Sequence, residues 1–112
     1  MQHSDVGDVR KVALNGRLDT AGVDVIETRF GAVIVPAGKN TVVDLGEVTF
    51  LASMGIRMLI ATTRSLSRKG ARLALYNAAP QVREVIETAA LTDIIPLAGD
   101  ESEAVLIVTG QA

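Results

Sequence analysis

The chain has 112 residues and a formal net charge of −2; hydrophobic residues make up 48% of it and aromatic residues only 3%. This length predicts one domain over residues 1–112 with an aliphatic core. The slightly acidic balance argues against a general nucleic-acid binder and against a polybasic membrane-surface segment. Because there is no cysteine and only one histidine, thiolate chemistry, cysteine-ligated metal and histidine-based triads or metal clusters are excluded.

The first half of the chain predicts a hairpin, a helix and a third strand. In chain order these elements cover residues 2–6, 9–14, 21–34 and 41–43. The hairpin turns at Gly7-Asp8, and its second strand is expected to end at Asn15-Gly16. The helix is expected to start near residue 21, with Thr20 or Asp19 as its cap. Its apolar stripe consists of Val23, Ile26, Phe30, Val33 and Ile34.

The second half continues the alternation of strands and helices. A short strand ending at Asp44 and a loop lead into a helix with apolar positions at Ile56, Leu59, Ile60, Thr63 and Leu66. The later elements are a strand at residues 72–76, a helix from Pro80, a short edge strand at residues 94–97 and a last helix, which Asp100 can cap and which runs through Val108. The order β-β-α-β-α-β-α-β-α predicts a single compact α/β domain. Its sheet is expected to be mixed but mostly parallel, with helices packed against it and the N-terminal hairpin at the edge.

Several motifs of nucleotide binding and covalent catalysis are missing. The chain contains no G-x-x-x-x-G-K-[ST] phosphate loop, no G-x-G-x-x-G dinucleotide fingerprint and no G-x-S-x-G nucleophile elbow. We therefore expect no catalytic residues, no cofactor and no metal, and a binding or switching role. No signal peptide and no apolar run of about 18 residues is visible, so a cytoplasmic location without membrane insertion is expected.

One segment, residues 42–56, carries the functional signal. Ser53 lies where a loop is expected to meet a helix, so its hydroxyl can cap that helix. The unpaired N–H groups and the positive end of the helix dipole would also tolerate a phosphate on Ser53. Arg57, four residues later, is on the same helix face and is placed to pair with a phosphate or with a carboxylate of a partner. Physical chemistry alone leaves both a structural cap and a phosphorylation site open.

The same segment resembles the signature of the STAS domain, shared by anti-sigma factor antagonists and the cytoplasmic tails of sulfate transporters. The matching positions are Asp44-Leu45, Val48, Phe50-Leu51, Ala52-Ser53 and Met54-Gly55. A second family feature, an apolar residue followed by Gly-x-Leu-Asp, is matched by residues 14–19, ending in Asp19. The order of predicted elements also resembles that of the family over nearly the whole chain.

The resemblance implies a bacterial anti-sigma factor antagonist that works by partner switching. Such a protein, when unphosphorylated, binds an anti-sigma factor that is also a GHKL-type serine kinase, and a sigma factor is released to transcription. The kinase would end this binding by phosphorylating Ser53, and a PP2C-type phosphatase would restore it. The implied partner surface consists of Asp19, Ser53, Met54, Gly55 and Arg57. ATP would belong to the partner, and no direct contact with nucleic acid is implied.

The chain departs from the family pattern at Ala52, where an acidic residue usually precedes the phosphorylated serine. Two other interpretations stay open at this point. One is a constitutive STAS scaffold subunit of a transporter or lipid-transport complex, in which Ser53 is never phosphorylated. The other is a small-ligand binder or minor hydrolase using Asp19, Asp44 and Ser53. Asp44 is more simply explained as a strand-end residue, and Asp19 as a helix cap.

Overall fold

The computed structural model describes residues 1–110, so two residues of the expected domain lie outside the described range. In chain order its elements are β1 (Gln2–Val6), β2 (Val9–Leu18), α1 (Thr20–Ile34), β3 (Thr41–Leu51), α2 (Ser53–Ser67), β4 (Leu73–Tyr76), α3 (Pro80–Thr88), β5 (Leu97–Ala98) and α4 (Glu101–Thr109). A 3₁₀ turn at Leu91–Asp93 precedes β5. This order confirms the predicted alternation of strands and helices.

All five strands form one sheet in the order β1-β2-β3-β4-β5. Strand β1 pairs with β2 in the antiparallel direction, and Gly7 in the connecting turn has a φ of +62°. The remaining neighbours, from β2 to β5, pair in parallel. The predicted mixed sheet with an N-terminal hairpin at its edge is therefore confirmed.

The helices divide unequally between the two faces of this sheet. Each parallel strand lies next to the one before it, and right-handed crossovers in such a series place successive helices on the same face. Helices α1, α2 and α3 accordingly cover one face, over a core built around Phe30, Leu45 and Leu59, each 0% exposed. Helix α4 packs on the opposite face, where Ala104 and Val108 contact a smaller apolar cluster.

The predicted helices are confirmed, although the buried face of α2 differs in detail. Asp19 and Asp100 cap α1 and α4 through their side chains. Of the predicted apolar positions, Leu59 and Leu66 are buried, and Ile56 and Ile60 are half-buried against the core. The other buried positions of α2 are Gly55, Met58 and Thr62. Because α2 packs beside α1 and its apolar side chains join the main core, a broad face of this helix is in the interior.

Two strands are longer than predicted. Strand β2 does not end at Asn15-Gly16 but continues to Leu18, and β3 does not end at Asp44 but continues to Leu51. The β2–β3 pairing shifts register twice, between Ala13 and Asn15 and again after Gly16, so extra residues are accommodated without ending the strands. In β3 the buried residues Leu45, Val48 and Leu51 recur every third position, and this spacing hides the strand from a search for alternation.

The predicted edge strand is also displaced. Residues 94–97 were expected to form it, whereas β5 consists of Leu97–Ala98. Ile95 is instead a fully buried anchor in the preceding turn, and the carbonyl of Pro96 accepts a hydrogen bond from the N–H of Leu75 at 2.9 Å. Pro96 thus joins the sheet as an acceptor, which is the only ladder role its backbone allows.

Candidate functional site

The candidate site lies at the carboxyl end of the parallel strands, where β2 and β3 end side by side. Leu18 and Leu51 are paired at the ends of these parallel strands, and the N–H of Ala52 donates to the carbonyl of Leu18 at 3.1 Å. Helices α1 and α2 begin directly after these residues. Their N-termini, which carry Asp19 and Ser53, are therefore held next to each other by the sheet.

Ser53 is the first residue of α2 and is exposed. The residue with the extended backbone of a cap is Ala52, with φ −117° and ψ 180°, and it makes no side-chain cap hydrogen bond. The prediction that Ser53 caps the helix is therefore wrong. The expected loop before it is also absent, because β3 runs to Leu51 and only Ala52 separates strand from helix. The junction between strand and helix is consequently a single residue, with β3 on one side and α2 on the other.

The start of α2, like that of α3, lacks the side-chain acceptor found at the starts of α1 and α4. The N–H of Gly22 donates to Asp19 at 2.9 Å at the start of α1, and the N–H of Glu103 donates to Asp100 at 2.8 Å at the start of α4. Helix α2 has neither a side-chain cap nor an acidic residue in its first turn. Its first N–H groups have no intrahelical acceptors, and they carry the positive end of the helix dipole.

Asp19 is held by two contacts within its own turn. Its Oδ1 accepts from the N–H of Gly22, and its Oδ2 is 3.1 Å from the Nε of Arg17. The Gly22 N–H, followed by the Arg17 guanidinium, lowers the pKa of Asp19 below its ordinary value. The prediction that Asp19 caps α1 is confirmed. Its contact with a partner stays a prediction, for which the half-exposed carboxylate remains reachable from outside.

The other predicted site residues differ in how they meet the solvent. Arg57 is exposed one turn below Ser53. Met54 is half-buried and packs against the main core. Gly55 is buried, and a Cβ there would lie 2.8 Å from the carbonyl oxygen of Leu18 and 2.7 Å from Leu51 Cδ1. Gly55 therefore shapes the site from beneath by allowing α2 to approach the strand ends.

Sequence reasoning missed one feature of this edge. The guanidinium carbon of Arg17 is 4.3 Å from the centre of the Phe50 ring, and Phe50 is 40% exposed. The two residues are register partners at the ends of β2 and β3. Both strands were predicted to end before reaching them, so their pairing was not anticipated. The signal available for finding it was the β-branched and aromatic composition of residues 48–51, which is typical of a strand even without alternation.

The structure separates the residues of the alternative hydrolase hypothesis. Asp44 lies seven residues before the end of β3, about 20 Å from the Ser53 junction at the usual rise of a strand. Its Oδ1 accepts hydrogen bonds from the Gly46 N–H at 2.8 Å and from Asn77 Nδ2 at 3.3 Å. Asp44 is thus a structural acceptor in mid-strand, not the strand-end residue that was predicted, and it does not converge with Asp19 and Ser53.

Residues 1–110 contain neither a metal-binding cluster nor a membrane-spanning helix. No group of three or more histidine or acidic side chains is arranged to hold a metal ion in that range. Among the helices of the same range, none has the length and apolar character needed to cross a membrane.

Comparisons with known proteins identify similar sequences in one family. A family model described as the STAS domain matches residues 2–104. The chain is 28% identical over 91 residues to BtrV of Bordetella bronchiseptica, whose name describes it as a putative anti-sigma factor antagonist, and the match covers 81% of this chain and 78% of BtrV.

Solved structures give the same result for the fold. An anti-sigma factor antagonist from Mycobacterium paratuberculosis superimposes with a TM-score of 0.86 at 28% identity, covering 96% of this chain and 92% of that one. The unphosphorylated form of the anti-sigma factor antagonist SpoIIAA gives a TM-score of 0.75 at 25% identity, covering 97% and 96%. SpoIIAA from Bacillus has also been solved in a phosphorylated form.

Proposed function

Because this chain belongs to the STAS domain family, we propose that it is an anti-sigma factor antagonist that switches partners through phosphorylation of Ser53. In the unphosphorylated state it binds an anti-sigma factor that is also a serine kinase of the GHKL ATPase type. Phosphorylation by that kinase ends the complex, and a PP2C-type phosphatase restores it. The observation that carries the proposal is the exposed Ser53 at the uncapped start of α2, beside the turn that contains Asp19.

The local geometry favours a phosphate on Ser53. The first turn of α2 offers free N–H donors and the positive end of its dipole, and no acidic side chain of that turn competes for them. Arg57 follows four residues later, within reach of a phosphate on the same face. The modification would add a charge of roughly −1.5 to −2 at an exposed point of the partner surface.

The alanine at position 52, where the family usually has an acidic residue, affects how the start of α2 would bind a phosphate. An aspartate at this position would be the N-cap residue of α2 and would accept hydrogen bonds from the first N–H groups of the helix. Alanine leaves those donors open, so a phosphate would meet them without a competing carboxylate. We therefore expect Ala52 to favour the phosphorylated form locally instead of preventing its formation.

Ser53 acts in this proposal as a substrate of another protein. It has no histidine or lysine neighbour in α2 that would serve as a general base, and the kinase supplies ATP and the catalytic groups. The proposed site of action is the cytoplasm, where ATP, kinase and sigma factor meet. The contact surface consists of Asp19, Ser53, Met54 and Arg57, with Gly55 positioning the helix beneath them.

The test is phosphorylation in vitro with each purified GHKL-type serine kinase of the source genome and ATP. One phosphate is expected, mapped to Ser53 by mass spectrometry. It should be lost in Ser53→Ala and kept in Ser67→Ala, which removes another exposed hydroxyl of α2. A kinase that phosphorylates a second antagonist but leaves Ser53 unmodified would contradict the proposed switch and favour the constitutive scaffold.

A binding measurement provides the second half of the test. Ser53→Asp should weaken the complex with the kinase more than tenfold by calorimetry, which corresponds to about 1.4 kcal/mol. The matched variant Ser102→Asp places the same charge on α4, at the opposite face of the sheet, and should change the affinity much less. Equal affinity of Ser53→Asp and the wild type would count against a partner surface at this residue.

A further inference from the structure

The net charge of −2 conceals a segregated distribution of charges. Residues 48–83 contain six of the eleven basic residues and none of the thirteen acidic ones. The remainder of the chain therefore holds five basic residues against all thirteen acidic ones. Helix α2 lies entirely within the acid-free stretch, so its exposed face carries one sign of charge.

The two arginines of α2 and the arginine at its C-cap lie along a single line. Arg57, Arg64 and Arg68 are spaced seven and four residues apart, which keeps them on one face, and all three are exposed. We call these three residues the basic stripe. It extends for about 16 Å along the helix, starting one turn below Ser53. The opposite face of α2 is buried against the sheet.

The stripe is not neutralised by the protein itself. The ion pairs within residues 1–110 involve Arg10, Lys11, Arg17 and Lys39. In that same part of the chain, no carboxylate of the neighbouring helices lies within 4.0 Å of a stripe arginine, although α1 and α3 both contain acidic residues. A helix end can itself favour a cation such as Arg64, but that preference leaves the guanidinium exposed to a partner.

We propose that the basic stripe is a docking surface for an acidic face of the partner kinase, continuous with the Ser53 site. This inference rests on the proposed function, because it names the chemistry of the partner that recognises the same helix. Charge complementarity supports a protein partner over an extended polyanion. Three guanidinium groups on one helix suit a local acidic patch, whereas the acidic remainder of the chain would repel a nucleic acid or an anionic membrane.

Phosphorylation of Ser53 would also change the electrostatic potential of the basic stripe. A phosphate on Ser53 lies at the head of the stripe, and Arg57 is its nearest cation along the helix. The phosphate would form an ion pair with Arg57 and would lower the positive potential that the stripe presents to an acidic partner. The loss of affinity on phosphorylation should therefore depend on ionic strength, since exposed charges are screened over about 8 Å at physiological salt.

The experiment compares two double variants with the same change in net charge. Arg64→Glu/Arg68→Glu reverses the lower part of the stripe and leaves Ser53 and Arg57 intact. The control Arg29→Glu/Arg83→Glu reverses exposed arginines on α1 and α3. Affinity for the purified kinase is measured by calorimetry from 50 to 500 mM salt, beside a 30-base-pair DNA duplex and phosphatidylserine vesicles. The neutral variant Arg64→Gln/Arg68→Gln removes the charges without reversing them. The melting temperature of each variant shows whether a loss of affinity comes only from destabilisation of α2.

We expect the stripe variant to bind the kinase roughly tenfold more weakly at low salt, with a flatter salt dependence, and the control to stay within about threefold. The neutral glutamine variant should show an intermediate loss with an unchanged melting temperature. Equal affinity and salt slope for the stripe variant and the control would overturn the stripe while leaving phosphorylation of Ser53 standing. Stripe-dependent binding of the DNA or the vesicles, without an effect on the kinase, would also overturn it.

The outcomes separate the two proposals. If the kinase binds but does not phosphorylate Ser53, the switch fails and the charge variants still test the stripe. If no kinase binds the chain at any salt concentration, both proposals are wrong.

Discussion

Replacing Gly55 with alanine should destabilise the protein even though alanine is the better helix former. The added Cβ would lie 2.8 Å from the Leu18 carbonyl oxygen, 2.9 Å from Leu18 Cβ and 2.7 Å from Leu51 Cδ1. The Leu51 methyl group can rotate away, but the Leu18 backbone is held by the β2–β3 pairing. The start of α2 must therefore move away from the ends of both strands.

The magnitude follows from two opposing effects. Overpacking a well-packed site costs about 1–3 kcal/mol. Exchanging glycine for alanine within a helix returns about 0.5–1 kcal/mol. The net expectation is a loss of about 1–2 kcal/mol in the free energy of unfolding, with a shift of several degrees in melting temperature.

The assay is urea unfolding of the variant beside Gly31→Ala. Gly31 is also helical, and a Cβ there meets no atom within 4 Å, so this control receives the helix-propensity gain without the clash. The two substitutions should thus change stability in opposite directions. If Gly55→Ala is as stable as Gly31→Ala, the close approach of α2 to the strand ends does not constrain the fold, and the reasoning is refuted. A displaced α2 should also slow phosphorylation of Ser53.

Three further predictions concern the turn at Asp19 and the opposite face of the sheet. A Cβ on Gly22 would overlap the carbonyl oxygen of Arg17, so Gly22→Ala should lower the urea midpoint more than Gly55→Ala does; an equal or higher midpoint would contradict this. Asp19→Asn keeps an acceptor for α1 but removes the charge. The pKa of Asp19 is lower in the folded protein than its ordinary value of 3.8. The ionised carboxylate therefore stabilises the folded state above that pH, and this contribution to the free energy of unfolding is lost as the pH falls. The gap in melting temperature between wild type and variant should therefore close below about pH 4, and a gap independent of pH would show that the charge is unimportant. Burial, assisted by the nearby Asp44 carboxylate, raises the pKa of Tyr76 to about 12, and since this is the chain's single tyrosine, ultraviolet titration reports on it alone. Tyrosinate should appear near pH 12 in the folded protein but near pH 10 in urea, with stability falling over that interval; a midpoint of 10 in the folded state would refute the burial.

The helices show how far local sequence carries a prediction. Asp19 and Asp100 each precede an apolar periodic segment, and both were expected to cap the helices that they do cap. The turn at Gly7 was likewise visible as a local signal. Such features depend on residues within one or two turns of one another, so the order of neighbours in the chain contains the necessary information.

The strand ends show where that information stops. The bulges that carry β2 past Asn15-Gly16 and β3 past Asp44 depend on how two distant segments pair. Because those extensions were not predicted, neither was the contact between Arg17 and Phe50. The assignment of Ser53 as a cap failed for the same reason, since β3 reaches Leu51 and leaves the cap position to Ala52.

By itself the sequence determined the α/β class, the order of elements, the serine at the start of a helix and the motifs that resemble a family. Only the tertiary structure decided that Ser53 is the exposed first residue of an uncapped helix, that Gly55 lies beneath it, and that Asp19 is held beside it. The physical reason is that helix periodicity and capping arise from neighbouring residues. The meeting of two helix N-termini at one sheet edge arises instead from the parallel pairing of strands far apart in the chain.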